Sequence, residues 1–147
     1  MREEQVTKYV LNWLISHDWT IICFDFPQSG TGHFLHPNGT FHKNKDSINP
    51  DIAAVKQGIA LFFENKDRFF LPDFIKQNKL ITHNNYTDAI SNLLSGHSVT
   101  SIFYGIGLPK IKYTEKVISK QHLVDFVVGV EDDGKVSLLF NKPQFVI

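Results

Sequence analysis

A five-residue apolar run, Ile59-Ala60-Leu61-Phe62-Phe63, ends not in a loop signal but in Glu64-Asn65-Lys66. The stretch before it, "NPDIAAVKQG" (49–58), is apolar through its middle and closes on Gln57-Gly58. Two such runs joined by a glycine-bearing pair read as a β-hairpin. With Gln57-Gly58 as a two-residue turn, Lys56 pairs with Ile59, Ala53 with Phe62, and Asp51 lands opposite Glu64. Directly opposed residues carry Cβ atoms roughly 4.5–5.5 Å apart, and a longer loop or a bulge would move Asp51 to a diagonal position that is still close. Side chains alternate along a strand, so Glu64 and Lys66 share one face while Asn65 points to the other. Whatever fold forms must therefore bury a hairpin whose polar end carries two acids and a lysine.

The rest of the chain supplies both helices and strands. Residues 3–17 carry the helical period: Val6, Tyr9, Val10, Trp13 and Leu14 form one apolar arc, and Lys8, Asn12 and Ser16 face away. Glu3 falls within that arc, whereas Glu4 falls toward its margin beside Leu11 and Ile15. "WTIICFDF" (19–26) reads as a strand ended by Pro27. A long punctuated segment, 27–48, follows, with room for strand pieces around Phe34 and Phe41; a loop of this length in a small domain is usually functional or mobile. After the hairpin, "LPDFIKQNKLITH" and "NYTDAISNLLSG" read as helices, the second capped by Asn85 or Thr87 and ended by Gly96. "VTSIFYGIGLP" (99–109) reads as a strand running into a glycine-bearing turn, and "KYTEKVISKQ" as a short helix or loop. Two more strands flank a tight Asp133-Gly134 turn. The expected class is α/β, a single domain over 1–147 built around one sheet.

At 147 residues the chain is long enough to bury a core without staples. The formal charge is zero, so no global positive field marks nucleic acid as a partner, and any such contact must rest on local basic patches. The single cysteine, Cys23, lies in a strand-like run and reads as a core residue. The N-terminal residues are charged and helical in pattern, and no apolar stretch approaches the ~20 residues that span a bilayer. The expectation is a cytoplasmic protein with no membrane contact.

Two carboxylates side by side repel unless a cation or a shared proton stands between them. A hard divalent ion such as Mg²⁺, for which Mn²⁺ can substitute, suits paired carboxylates and engages phosphate oxygens. Lys66, two residues along the same face, is placed to orient or deprotonate a water or to neutralise charge developing on a phosphate. Pro50-Asp51, a twelve-residue spacer and Glu64-Asn65-Lys66, set on a hairpin, resemble the PD-(D/E)xK nuclease superfamily. The resemblance covers roughly residues 1–110. It implies a restriction-endonuclease-like core, a mixed central sheet flanked by helices in the order helix, three strands, helix, strand. It also implies metal ligation by Asp51, Glu64 and the main-chain carbonyl of Asn65, with Lys66 assisting the attacking water. Many members add a glutamate from the first helix, a role that falls better on Glu3 than on Glu4 by the face argument. Two or three helical segments where that core needs one, and the C-terminal hairpin, depart from the pattern.

Other motifs point less far. His33, His36 and His42 share the long loop, but no Cys or Glu completes a zinc spacing. "QSGTGH" (28–33) lacks both the dinucleotide fingerprint and the P-loop ending. On the nuclease reading Gln28, Ser29 and His33 in this loop, with Lys43, Lys45 and Arg68, are the expected nucleic-acid contacts. Asp67, Lys76 and Lys79 lie either on the substrate side or on an ordinary solvated face. The expected function is Mg²⁺-dependent DNA endonuclease activity, restriction-type or acting on four-way junctions, from a homodimer that cuts both strands. The alternative is a binding module that keeps the fold and does not cut.

Overall fold

The computed structural model describes residues 1–26, 32–39, 47–143, 145 and 147. Gln28, Ser29, Lys43 and Lys45, expected at a nucleic-acid interface, lie outside the described residues, as do Phe41 and His42. Helix α1 (Glu3–Ser16) leads into β1 (Thr20–Phe24), the hairpin β2 (Ile52–Lys56) and β3 (Ile59–Asn65), then α2 (Leu71–Thr82) and α3 (Thr87–Leu93). Strand β4 (Ser101–Pro109), the short helix α4 (Glu115–Ile118), β5 (Phe126–Val130) and β6 (Val136–Asn141) complete the chain. The six strands form one mixed sheet in sequence order. β1, β2 and β3 are antiparallel neighbours, β3–β4 and β4–β5 are parallel, and β5–β6 is antiparallel.

Alternation along the central strands divides the core. Ile52, Ala54, Leu61, Phe63, Phe126 and Val128 pack beneath Val6, Val10, Leu11 and Leu14 of α1. On the opposite face Ala53, Val55, Ala60, Phe62 and Tyr104 meet Leu80, Ile90 and Leu94 of α2 and α3, and Phe74 of α2 packs with Ile106, Leu108 and Val127. The molecule is an α/β structure with a mixed sheet flanked by helices. No helix among the described residues is long and apolar enough to cross a membrane.

The hairpin forms in the expected register, with Lys56 opposite Ile59 and Ala53 opposite Phe62. Gln57 and Gly58 both adopt positive φ (50° and 82°), the condition a two-residue turn of matching twist imposes. Two local expectations need correction. "YGIGLP" is not a turn, because β4 runs straight through it. Gly105 is there for room: a Cβ at that position would sit 2.2 Å from the Phe126 ring. Tyr86, rather than Asn85 or Thr87, precedes the first turn of α3 and makes no side-chain cap bond. In the long loop the strand piece expected around Phe34 is present as a bridge between Leu35 and Ile48, with Phe34 itself exposed.

Candidate active site at the end of the hairpin

Asp51 is held just before β2 by three main-chain ties. Its N–H donates to the Phe63 carbonyl at 3.0 Å, and its carbonyl accepts from the Asp25 N–H at 2.8 Å. Its carboxylate Oδ2 accepts from the Asn65 N–H at 2.7 Å. Glu64 points to the α2 side of the sheet and is only 5% exposed. Asp51 and Glu64 lie close enough for each carboxyl to bear on the ionisation of the other. Burial, reinforced by the Glu64 charge, pushes Asp51 up to about 9, against the downward pull of the Asn65 N–H. Burial raises Glu64 as well, opposed by the Lys76 ammonium.

Two helices complete the cluster. From α2, Lys76 Nζ lies 2.8 Å from Glu64 Oε1 and 3.9 Å from Asp73 Oδ1. Asp73 is 6% exposed, and burial raises its pKa despite Lys76 and Lys66. From α1, Glu3 Oε1 lies 3.6 Å from Lys66 Nζ, which is 3.9 Å from Asp73 Oδ2. Glu4 instead pairs with Lys8 along the helix at 3.0 Å, so Glu3 is the one that turns to the cluster. The Lys66 ammonium also sits 4.9 Å from the centre of the Phe70 ring. Burial drives the Lys76 pKa down, but the Glu64, Asp73 and Asp51 charges outweigh it and raise the net value.

The charge balance of this group decides what it can hold. Four carboxyls (Glu3, Asp51, Glu64 and Asp73) face two ammonium groups (Lys66 and Lys76). Fully ionised, the cluster carries two negative charges in excess, and either two protons or one divalent cation closes it. Among the described residues no group of three or more His, Cys, Asp or Glu side chains is placed to hold a metal ion. The donors on offer are the neighbouring pair, Asp51 and Glu64, which a hard ion would supplement with main-chain carbonyl and water oxygens. That donor chemistry and the charge excess fit Mg²⁺.

Two buried amides make the frame rigid. Asn65, expected to serve through its backbone alone, is fully buried and donates from Nδ2 to Thr7 Oγ1 at 3.1 Å, tying β3 to α1. A Cβ at Gly107 would lie 2.3 Å from Asn65 Oδ1, so the glycine makes room for this side chain. Gln77, 1% exposed, donates to the Phe62 and Gly105 carbonyls at 3.2 and 2.8 Å, tying α2 to β3 and β4.

Asp51, Glu64, Lys66 and Glu3 are thus brought together by the hairpin and α1. Arg68 is not drawn in: its guanidinium pairs with Asp67 at 2.7 Å and is largely exposed. His33 is exposed and anchored by its N–H to Asn49 Oδ1 at 3.0 Å, and Asn49 in turn donates to Asp25 at 2.6 Å. Sequence reasoning missed Asp73 and Gln77. Their signal was the spacing Asp73, Gln77, Leu80, which makes one helical stripe running into the buried face of α2. No protein-family model, curated protein or solved structure matches the chain.

Proposed function

We propose that the chain is a metal-dependent endonuclease that hydrolyses DNA phosphodiester bonds at the Asp51–Glu64 cluster. The observation that carries this reading is the convergence of half-buried Asp51 and buried Glu64 in a cluster of four carboxyls and two lysines. The element order α1, β1–β3, α2, β4 supports a restriction-endonuclease-like core, with α3, α4, β5 and β6 as additions. A Mg²⁺ ion held by Asp51, Glu64 and the Asn65 carbonyl would supply Lewis-acid charge at the phosphate and a more acidic bound water. Lys66, with its side chain 25% exposed, orients the attacking water and stabilises charge on the phosphoryl oxygens. Glu3 holds Lys66 in place from α1 and adds an accessory carboxylate. The water oxygen forms the new bond to phosphorus as the P–O bond to the leaving sugar oxygen breaks, the proton lost by the attacking water passing to solvent and the leaving oxygen taking one from solvent. Cutting both strands of a duplex or a junction takes two copies, hence a homodimer.

The test is cleavage of supercoiled, linear, single-stranded and branched DNA with Mg²⁺ or Mn²⁺, beside Lys66→Ala and Asp51→Ala. The expected result is metal-dependent cutting by the wild type that both variants lose by at least about a hundredfold. A wild type that cuts nothing with either metal, or variants that cut equally well, would overturn the reading and leave a non-cutting binding module.

A further inference from the structure

A cleft of about 660 Å³ runs along the outer side of α2, between that helix and the Pro37 and Ser47-Ile48 segments. Lys76 lines its near end and is the same residue that contacts Glu64, so this one side chain links the cleft to the acid cluster. Lys79 follows on α2 three residues from Lys76, and His83 caps the helix at its C-terminal end. At 3.6 residues per turn the two lysines lie roughly 60° apart, and the row from Lys76 to the cap spans about 10 Å, the axial length of about three nucleotides in a B-form strand. Lys79 and His83 are both exposed. Tyr86 contributes an aromatic ring at the far end, and Ser47, hydrogen-bonded to His36 at 2.8 Å, forms part of the opposite wall. Among the described residues no carboxylate lines the cleft, in a chain whose acidic and basic residues otherwise balance at 15 each.

Two lysines and a histidine in a row, an aromatic ring and, among the described residues, no acid in the lining make a surface for a phosphate backbone. Resting on the nuclease reading above, we propose that this α2 cleft is the track along which the DNA strand enters the acid cluster, with Lys79 as its principal phosphate contact. The track solves an electrostatic problem that the cluster creates. A polyanion approaching four carboxyls needs a guide of opposite sign that ends at the reacting position, and Lys76 joins the two.

The experiment uses the cutting-deficient Asp51→Asn chain with Mg²⁺ and a fluorescently labelled duplex, with anisotropy read between 50 and 200 mM NaCl. Adding Lys79→Ala is expected to flatten the slope of log affinity against log salt by about 0.9, which at 100 mM amounts to about an eightfold loss. Lys79→Glu is expected to lose more. Lys8→Ala, on the opposite face of the sheet, is expected to change neither quantity. If the parent binds DNA while both Lys79 variants match it in affinity and slope, the track is wrong and the nuclease reading stands. If the parent binds no DNA and the wild type cuts none, the two fall together.

Discussion

Replacing Asp51 by Asn is expected to stabilise the metal-free protein. Folding raises the Asp51 pKa from its ordinary 3.8 to about 9, so folding favours the protonated carboxyl. The folded state then loses nothing below pH 3.8, and loses about 1.4 kcal/mol for each pH unit above it until about 9 is reached. At pH 7.5 the ceiling is about 5 kcal/mol. Part of that cost belongs to Glu64, whose charge contributes to it and which stays buried in the variant, so about 2 kcal/mol is the expected gain. An Asn at this position keeps an oxygen for the Asn65 N–H and offers its amide to Glu64, the bonding that a protonated Asp51 provides. For a chain of 147 residues the gain corresponds to a rise in Tm of about 4–8 °C. Urea and thermal unfolding of wild type and Asp51→Asn in EDTA, from pH 4 to pH 9, measure it. The advantage should be near zero at pH 4 and grow steadily through neutral pH. A variant that is less stable than wild type at pH 7.5, or a difference that does not vary with pH, would refute the reasoning, because Asp51 would then be an ordinary ionised partner.

Metal binding should release protons, since a divalent ion favours the carboxylate form of Asp51 over the protonated form that burial imposes. Calorimetric titration with Mn²⁺ at pH 7.5 in two buffers of different ionisation enthalpy should report about one proton released per ion; equal heats in both buffers would contradict this. Gln77→Ala should destabilise the fold by about 2–4 kcal/mol, because it leaves the Phe62 and Gly105 carbonyls without their donor and opens a cavity. Urea unfolding checks it, and a loss below about 1 kcal/mol would mean that water takes the place of the amide.

The hairpin was legible because its register depends on neighbours in sequence. Once Gln57-Gly58 closes the turn, every pairing from Lys56–Ile59 to Ile52–Phe63 follows by counting, and Asp51 must approach Glu64. Helix α1 was legible from its period, and that period also separated Glu3 from Glu4. The β4 glycines were not legible. A glycine pair reads locally as a turn, whereas Gly105 and Gly107 are dictated by the Phe126 ring and the Asn65 amide, which arrive from other strands. Asp73 and Gln77 escaped for the same reason. Their sequence shows a helix beginning after Phe70, but which of its faces meets the sheet depends on Phe74 and Leu80 finding the core.

The two lysines of the cluster can be told apart by what surrounds them. Lys76 is 2.8 Å from Glu64 and is held in its ammonium form by the Glu64, Asp73 and Asp51 charges, which overcome its burial. A group so held cannot take a proton from water near neutral pH, and its effect is to offset negative charge in the cluster. Lys66 stands off from every carboxylate it approaches, at 3.6 Å from Glu3 and 3.9 Å from Asp73, with the Phe70 ring beside its ammonium. It is therefore free to close on a water or a phosphoryl oxygen without first breaking a tight ion pair. The cluster divides its cations accordingly, one fixed against the acids and one poised, and the poised one is the lysine that ends the hairpin.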